Sequence, residues 1–378
     1  MKSVLILGAG FAGLELATTL SEEVPEDVEV TVIDQSDSFV FGFSKLDVMF
    51  GRAEPQSVHL AYSRLDKPAV GFRQERVLSI DAANRRVSTD AGSYEPDILV
   101  VALGADLDPA ATPGLLEGGS EYYSVSGAER VRSILPDFPG GDVIISVLGP
   151  FFKCPAAPFE TALMMHNYLE RRSRLTDSTI KVISPMAMPI PISKEASTGI
   201  LKALDERGIG WWPQSKVTTL DPAARTAILE DGRTTGYDLF LGVPVHRAPQ
   251  VVEESDLVED GWIPVDHATF ATRFENVYAV GDVTSAPVPR VGVIAEGEAK
   301  TLAEVLIHHI RGGDTPPPYH GVATCYIEFG DTRVARFDAD FLSGPSPVAS
   351  FTEASEDLAT SKKEWAASRR LRWFGIPD

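Results

Sequence analysis

Cysteine and positive charge are both scarce in this chain. Two cysteines, Cys154 and Cys325, occur among 378 residues. That is too few for a disulfide scaffold, and neither their number nor their spacing suits a zinc site, so no metal is expected. Asp and Glu outnumber Lys and Arg by 54 to 34, which gives a formal net charge of -20. A surface this acidic repels a phosphate backbone, and nucleic acid is therefore excluded as a partner.

Long apolar segments are also missing. No run approaches the roughly 18 apolar residues that cross a bilayer as a helix. The N-terminal sequence MKSVLILGAGFAG has a short apolar run with no small-residue cleavage site after it. It therefore predicts a buried strand and not a signal peptide, and we expect a cytoplasmic protein. The length of the chain favours two or three domains.

The first 34 residues carry a dinucleotide-binding motif. An apolar strand predicted over 3–7 leads into GAGFAG and then a helix, so that Gly8, Gly10 and Gly13 have the G-x-G-x-x-G spacing. Asp34 closes the next strand about twenty residues further on, where an acid binds ribose hydroxyls. The glycines permit a tight turn and a close approach of pyrophosphate, and the helix N-terminus offers N–H groups to the phosphates.

Strand and helix patterns alternate along most of the chain and start afresh near Asp142. Buried strands are predicted over 98–103 and in DVIISVLG, YDLFLGVP and ENVYAVGD, with helices at about 159–172 and 293–311. The proline run at 316–318 predicts a linker. ATCYIEFGDTRVARFDADF alternates as a β-hairpin does, and EDLATSKKEWAASRRLRWFG is predicted to form a final helix.

Together these segments resemble the flavin-dependent reductases that contain two dinucleotide-binding domains. The resemblance implies an α/β fold with two Rossmann-like domains and a small C-terminal domain. It assigns 1–105 and 250–312 to a discontinuous FAD-binding domain, 106–249 to a second, degenerate domain, and 313–378 to the C-terminal domain.

Two further motifs strengthen the FAD part of this resemblance. TRFENVYAVGD resembles the family's second FAD signature, in which Asp282 would bind the ribityl chain. The strand before Gly104 matches the family's ATG element, with Leu103 in place of the usual threonine, and Arg290 stands where relatives carry lysine. With no third cysteine for a thioether link, FAD is expected to be non-covalent. The cofactor-binding residues implied are Gly8, Gly10, Gly13, Asp34, Gly104, Gly281, Asp282 and Arg290.

The second glycine-rich loop that such reductases use for a nicotinamide cofactor is missing. After a strand like VIISVLG, this chain continues from Gly149 as PFFKCPAAPFE, with Cys154 inside the segment. Prolines and phenylalanines would block the approach of a pyrophosphate that glycines permit. We infer that NAD(P)H binds poorly or not at all and that electrons come from another donor. The alternative is a shifted loop that binds the nucleotide differently.

The replacement segment has a resemblance of its own. KCPAAPFE and GVATCYIEFG resemble the cysteine segments of sulfide:quinone oxidoreductases and of the flavoprotein subunit of flavocytochrome c sulfide dehydrogenase. In those relatives the two cysteines meet over the flavin ring and shuttle sulfur. The resemblance implies that Cys154, in the second domain, and Cys325, in the C-terminal domain, form such a redox pair. Which sulfur faces the flavin stays open.

Three residues near these segments are candidates for proton transfer or thiol activation. Lys153 adjoins Cys154, and a helix begins shortly after, so the pKa of this thiol is expected to be lowered. Glu160, in the first turn of that helix, is either a base or a helix cap. His246 follows a buried strand, where it either passes protons near pH 7 or has a structural role.

The C-terminal segment suggests how electrons leave the protein. Residues 361–374 carry five Lys or Arg side chains and one Glu, interleaved with tryptophan, leucine and phenylalanine. This pattern fits a peripheral anchor on the cytoplasmic face of a membrane, close to a quinone. The alternative is a helix docked on its own chain or on the partner of a homodimer. Tyr326, Phe329 and Phe341 are candidates for a quinone pocket, with a place in the core as the alternative for each.

The sequence therefore predicts an FAD-dependent enzyme that oxidises sulfide, or a low-molecular-weight thiol or persulfide, through Cys154 and Cys325. Its electrons would pass to a quinone. The first rival is an NAD(P)H-dependent flavin reductase of the same fold, with a quinone or a disulfide as acceptor. The second is a redox sensor or sulfur carrier that does not turn over.

Overall fold

Two parallel sheets form the centre of the protein in a computed structural model that describes residues 1–313 and 316–377. The first sheet has its strands in the spatial order Val277–Ala279, Ile98–Val101, Lys2–Leu7, Val28–Asp34 and Val70–Gln74. One face packs against the helices Phe11–Glu23 and Gly292–Arg311, and the other against a small antiparallel sheet. Because both faces are covered, the strand Ile98–Val101 and the last four residues of Lys2–Leu7 are apolar and buried.

The strand predicted over 98–103 ends earlier than expected. It leaves the sheet after Val101, and the following residues form the loop at the carboxyl edge, where Gly104 has a φ of 69°. The predicted strand thus included two apolar residues of this loop: Ala102 lines a cavity, and Leu103 packs against the core under the small antiparallel sheet.

The second sheet repeats this plan. Its strands lie in the order Ser120–Glu121, Leu239–Val243, Asp142–Val147, Thr179–Ile183 and Gly210–Trp212. All of its strand pairs are parallel. The helices Val125–Ile134, Ala157–Arg171 and Lys194–Asp205 pack on one face. The protein is thus an α/β fold with two Rossmann-like units, as predicted.

The C-terminal part adds an antiparallel sheet and a long helix. The predicted hairpin forms Val322–Gly330 and Arg333–Asp340, and a third strand that the pattern did not predict, Val348–Ser355, completes the sheet. The final helix is Glu356–Phe374. Residues 316–318 have neither helix nor strand, as expected of a linker.

Shorter elements connect these units. Two antiparallel sheets contain Val77–Asp81, Arg86–Thr89 and Ser93–Tyr94, and Val217–Asp221, Thr226–Leu229 and Thr234–Gly236. Two-stranded pairs join Ser38–Phe39 to Leu60–Ala61 and Asp106–Asp108 to Val245–Arg247. The short α-helices are Ser44–Met49, Leu115–Gly118 and Gln250–Glu253. Short 3-10 helices are Pro55–Val58, Tyr62–Arg64, Pro109–Ala111, Leu135–Asp137 and Leu175–Asp177.

This arrangement decides where the site lies. The carboxyl ends of both parallel sheets and the strand Val322–Gly330 border one cavity, as expected for a ligand of an open α/β sheet. The domain boundaries at 105/106, 249/250 and 312/313 stay predictions.

Candidate active site

The first glycine loop has the geometry that a pyrophosphate requires. A Cβ on Gly8 would lie 2.3 Å from the carbonyl oxygen of Ala102, and one on Gly13 would lie 1.9 Å from the carbonyl oxygen of Gly8. At Gly10, no heavy atom lies within 4 Å of such a Cβ, and this residue borders the cavity. The first and third glycines therefore permit packing of strand, helix and loop, while the second leaves space for a ligand.

Asp34 lies at the end of its strand, as the motif predicts. Its Oδ2 accepts a hydrogen bond from the N–H of Ala9 at 2.8 Å, and its Oδ1 accepts one from the N–H of Ser36 at 2.8 Å. These bonds fix the carboxylate beside the glycine loop. Its contact with a ribose stays a prediction.

The second FAD signature also borders the cavity. Gly281 has a φ of 81°, and its N–H donates to the carboxylate of Glu298 at 2.5 Å. Burial raises the pKa of the neighbouring Asp282, and the nearby cations Lys153, Arg290 and Lys45 oppose this rise. Gly104 lines the same space. The cavity has a volume of 390 Å³, and its glycine loop and carboxylates fit the phosphates and hydroxyls of FAD.

Cys154 lies in the loop between the strand Asp142–Val147 and the helix Ala157–Arg171. Its N–H donates to the carbonyl oxygen of Arg290 at 2.9 Å, and its own carbonyl oxygen accepts from the N–H of Ala157 at 2.9 Å. Its φ is 53°, which is uncommon for a residue with a side chain and is tolerated where the surrounding bonds enforce it. The backbone therefore holds this residue in one orientation.

The two cysteines border the same cavity. Both are free thiols in this structure, Cys154 open to the cavity and Cys325 half-buried opposite Phe337 in the C-terminal sheet. Protein packed around the Cys154 sulfur raises its pKa although the side chain is open to the cavity, and the charge of Glu160 adds to the effect. Burial and then Glu160 raise the pKa of Cys325 to about 12.

The expected lowering of the Cys154 pKa is therefore wrong for this structure. Lys153 points away from the thiol, because its ammonium donates to the carbonyl oxygen of Ala105 at 2.7 Å. The helix begins at Ala157, and its first N–H groups do not outweigh the loss of hydration and the repulsion from Glu160.

Glu160 is buried against the C-terminal sheet and borders the same cavity as both cysteines. Its Oε1 accepts a hydrogen bond from the N–H of Glu328 at 2.9 Å. No side chain caps the helix Ala157–Arg171, so the alternative of a helix cap does not describe Glu160. Burial raises the pKa of Glu160 to about 7, although the nearby ammonium of Lys362 lowers it. A carboxylate with this pKa can take up a proton at neutral pH.

Two lysines of the site were not recognised from the sequence. Lys45 borders the cavity, donates to the carbonyl oxygen of Tyr123 at 2.7 Å, and has its pKa lowered by burial to about 8. Lys362 is buried, and its ammonium lies 2.7 Å from a carboxylate oxygen of Glu328. No motif surrounds either lysine, and the pattern of 361–374 predicts Lys362 to be a cation of a membrane anchor, so only the fold reveals both.

His246 does not have the properties expected of a proton carrier near pH 7. It is buried, Pro244 accepts a hydrogen bond from its Nδ1 at 2.9 Å, and its ring contacts Tyr123 edge-on at 5.6 Å. Burial and the charge of Lys153 lower its pKa to about 3. The imidazole is therefore neutral at physiological pH, which favours the structural alternative.

Arg290 forms part of the cavity wall, but its guanidinium is held by the protein. Its Nε donates to the carbonyl oxygen of Asp282 at 3.1 Å, and its Nη2 donates to that of Thr284 at 3.3 Å. The guanidinium lies over the ring of Trp262, 3.8 Å from its centroid. Arg290 is thus a cation that stacking and two hydrogen bonds fix at the cavity wall.

An apolar cavity of 530 Å³ adjoins the thiols on the side away from the glycine loop. Cys154, Cys325 and Tyr326 line both cavities, and prolines and aromatic rings form most of the remaining wall. Of the other candidates for a quinone pocket, Phe341 borders this apolar cavity. Phe329 packs in the core against Phe351, with 6.3 Å between ring centroids, and is absent from the lining of either cavity.

The C-terminal helix is docked on its own chain. Trp373 is fully buried, and its indole N–H donates to the carboxylate of Glu15 at 2.7 Å, while Arg372 lies 2.8 Å from the same carboxylate. Trp365 stacks on Phe11 beside the flavin cavity, with ring centroids 6.3 Å apart. The docked alternative is thus confirmed, and membrane contact through 361–374 stays a prediction. Among the described residues, no helix has the length and apolar character needed to cross a membrane.

Comparison with known proteins gives a consistent family. The family described as "Pyridine nucleotide-disulphide oxidoreductase" matches residues 2–138 and 160–299. The interval between these ranges, 139–159, contains Cys154.

Relatives of two kinds are similar to this chain. Mouse mitochondrial sulfide:quinone oxidoreductase is 23% identical over 94% of this chain and 82% of its own length. Sulfide-quinone reductase of Aquifex aeolicus is 27% identical over 87% of this chain and 82% of its own length. Type II NADH:quinone oxidoreductase of Staphylococcus aureus is 31% identical over 83% of this chain and 84% of its own length.

The fold has a close counterpart among solved structures. The crystal structure of the Aquifex aeolicus sulfide:quinone oxidoreductase superposes with a TM-score of 0.88, covering 98% of this chain and 92% of that one at 22% identity. The family match covers most of the chain, and the glycine loop, Asp34 and Asp282 all border or support one flavin-sized site. This chain therefore belongs to the pyridine nucleotide-disulphide oxidoreductase family and is an FAD-dependent oxidoreductase.

Proposed function

We propose that this enzyme oxidises sulfide, or a small thiol or persulfide, through Cys154 and Cys325 and passes the electrons by way of FAD to a quinone. The observation that carries the proposal is that both cysteines of the chain border the flavin cavity beside Glu160. The mouse and Aquifex relatives, a sulfide:quinone oxidoreductase and a sulfide-quinone reductase, support both substrates.

The sulfur chemistry is a thiol–disulfide exchange at an oxidised Cys154–Cys325 pair. Hydrosulfide attacks one sulfur, an S–S bond forms to that cysteine, the Cys–Cys bond breaks, and the other cysteine leaves as a thiolate. A second sulfide or a small thiol then takes the terminal sulfur and frees the first cysteine. Closing the Cys–Cys bond again releases two electrons, and FAD, when bound, supplies the two-electron acceptor.

Glu160 has the position and the pKa of the base in this cycle. One proton leaves for each sulfide and thiol consumed, and a carboxylate with a pKa of about 7 beside both sulfurs can accept it. Glu160 also disfavours unproductive ionisation of the two cysteines to thiolates, because its negative charge raises the pKa of both.

The apolar cavity is the site we propose for the quinone. Its wall of prolines and aromatic rings, with Tyr326 and Phe341 among them, suits an apolar ring. Tyr326 borders both cavities and so connects this site to the flavin space. Sulfide is small and needs no cavity of this size.

A second candidate function is NADH-dependent quinone reduction. The staphylococcal relative with that name is 31% identical, a higher identity than that of either sulfide enzyme above. The loop after the strand Asp142–Val147 argues against NADH as the electron donor. Pro150 and Phe151 occupy the part of this loop where a pyrophosphate would need glycine.

The test is anaerobic reduction of the bound flavin, followed by absorbance after mixing with sulfide or with NADH. We expect rapid bleaching by sulfide and little by NADH. Cys154→Ser and Cys325→Ser are matched isosteric variants that should keep the flavin spectrum and lose the reaction with sulfide. Bleaching by NADH with sulfide inert, or full sulfide activity in both variants, would refute the proposal.

A further inference from the structure

A third cavity, of 250 Å³, lies away from the cysteines at the end of the helix Ala157–Arg171. Phe50, Met164 and Tyr168 form an apolar part of its wall. Polar side chains complete it, namely Asn167, Asp331 and three arginines. Neither the flavin site nor the sulfur chemistry uses this cavity.

Asn167 is the unusual member of this wall. Its side chain is only 6% exposed, yet within the described parts of the chain neither its amide nitrogen nor its amide oxygen has a hydrogen-bond partner. A buried amide without a partner destabilises the folded state, and such groups in folded proteins require an explanation. Gly330 packs directly against it, since a Cβ there would lie 1.6 Å from the Asn167 oxygen. The amide is thus held at the cavity wall by packing alone.

The arginines keep donors available around the same space. Arg171 is 66% exposed and lies 3.6 Å from Asp331, a loose surface ion pair of little energetic value. Arg172 stacks over the ring of Tyr168 at 4.9 Å and donates one bond, at 3.4 Å, to a backbone carbonyl. A guanidinium has five N–H donors, so most of those on both residues are available to a ligand.

Helix geometry alone does not account for this arrangement. Cations at a helix C-terminus complement the macrodipole, and this alone would explain why Arg171 and Arg172 lie at the end of the helix. It does not explain a buried amide with two unsatisfied atoms beside them. Arg52 comes from a different part of the chain and reaches the same cavity, although its Nη1 also lies 3.1 Å from Glu328. On a chain with a net charge of -20, three arginines against the one carboxylate of Asp331 give this wall a local excess of positive charge.

We propose that this cavity binds a small carboxylate with an apolar body. Arg171 and Arg172 would pair with the carboxylate in the planar geometry that a guanidinium offers, and the Asn167 amide would complete its hydrogen bonds. Phe50 and Met164 would contact the apolar part of the ligand.

The test uses the full-length, FAD-loaded protein and benzoate as the probe, followed by isothermal titration calorimetry. We expect a dissociation constant on the order of a millimolar, as suits a ligand of this size. The uncharged analogue benzamide should bind at least about tenfold more weakly, because it lacks the charge that pairs with the arginines. Inorganic phosphate as a second probe should also bind more weakly than benzoate, since it has no apolar body.

Two variants and one control separate a binding role from a structural one. The double variant R171A/R172A should weaken benzoate binding about tenfold or more. The control is Arg174→Ala, which should not change binding, because Arg174 is exposed three residues after Arg171 and does not line the cavity. Asn167→Leu keeps the volume and removes an unsatisfied amide, so it should fold at least as stably and still lose affinity. Equal binding by the wild type, R171A/R172A and N167L, or no benzoate binding by the wild type, would overturn the proposal.

Discussion

Replacing Glu160 by glutamine should make the folded protein more stable at alkaline pH and slower as an enzyme. Burial raises the pKa of Glu160 from 4.5 to about 7. At 1.36 kcal/mol per pKa unit, ionising this carboxyl in the folded chain carries a penalty of about 3 kcal/mol relative to the unfolded chain. Glutamine is similar in shape, can still accept the hydrogen bond from the N–H of Glu328, and cannot ionise.

The sign of the effect follows from the direction of the shift. Below pH 4.5 the carboxyl is neutral in both states, and Glu160→Gln should hardly change the free energy of unfolding. Because the folded-state pKa is the higher one, the wild type loses stability as pH rises through the interval from 4.5 to about 7. Above pH 7 the variant should therefore be more stable, by up to about 3 kcal/mol.

The stability assay is urea denaturation at pH 5 and pH 8. Glu170→Gln, an exposed change on the same helix, is the matched control and should shift neither midpoint. The activity assay is anaerobic flavin reduction by sulfide across the same range. Removing a general base lowers the rate of flavin reduction about 10²-fold or more. The ratio of wild-type to variant rate should then decrease as the pH is lowered from 7, because Glu160 becomes protonated in the wild type. Ionisation of sulfide itself affects both proteins equally and cancels in this ratio.

One outcome would refute this reasoning directly. If E160Q is less stable than the wild type at pH 8 while its rate ratio is independent of pH, then Glu160 is an ionised structural partner of Lys362. In that case it is not a raised-pKa base.

Three further changes have expected results. Gly8→Ala would place a Cβ 2.3 Å from the carbonyl oxygen of Ala102 at a φ of 102°, so we expect loss of FAD from the purified protein and of at least about 2 kcal/mol of stability. Trp373→Phe removes the bond to the buried Glu15 and should cost about 1–3 kcal/mol in urea denaturation. His246→Gln should leave the pH dependence of flavin reduction between pH 6 and 8 unchanged, because the pKa of this histidine is about 3.

For each of these changes, one result would contradict the physical reason given. Gly232→Ala is the control for Gly8, since Gly232 has a φ of 85° but open space around it, and it should cost only the strain of its backbone. FAD retained at the wild-type level in G8A would contradict the geometry of the glycine loop. Trp373→Phe with an unchanged midpoint would mean that the docked C-terminal helix does not depend on this bond. A His246 variant that loses the dependence on pH near 7 would restore its interpretation as a proton carrier.

Spacing and composition were sufficient wherever the physical signal is local. The glycine loop and Asp34 follow from steric requirements that a few neighbouring residues express, and the alternation of strands and helices follows from apolar periodicity. The lack of a second glycine pattern after the strand Asp142–Val147 was visible for the same reason, because Pro150 and Phe151 stand there in the chain. Weak binding of NAD(P)H stays a prediction.

Properties that arise from distant neighbours could not be predicted in this way. The pKa of Cys154 was expected to fall on the basis of Lys153, yet the fold directs that ammonium to Ala105 and brings Glu160 beside the thiol instead. Lys362 appeared to be one cation of an exposed amphipathic segment, and it is buried against Glu328.

The sequence by itself determined the fold class, the FAD-binding motifs and the two cysteines as the unusual feature of the chain. Each of these depends on residue types at fixed separations along the backbone. Only the tertiary structure decided the protonation behaviour of Glu160 and His246, the docking of the C-terminal helix, and the unsatisfied amide of Asn167. Hydration and charge at a side chain depend on what the fold packs around it, and residues far apart in the chain supply most of those contacts.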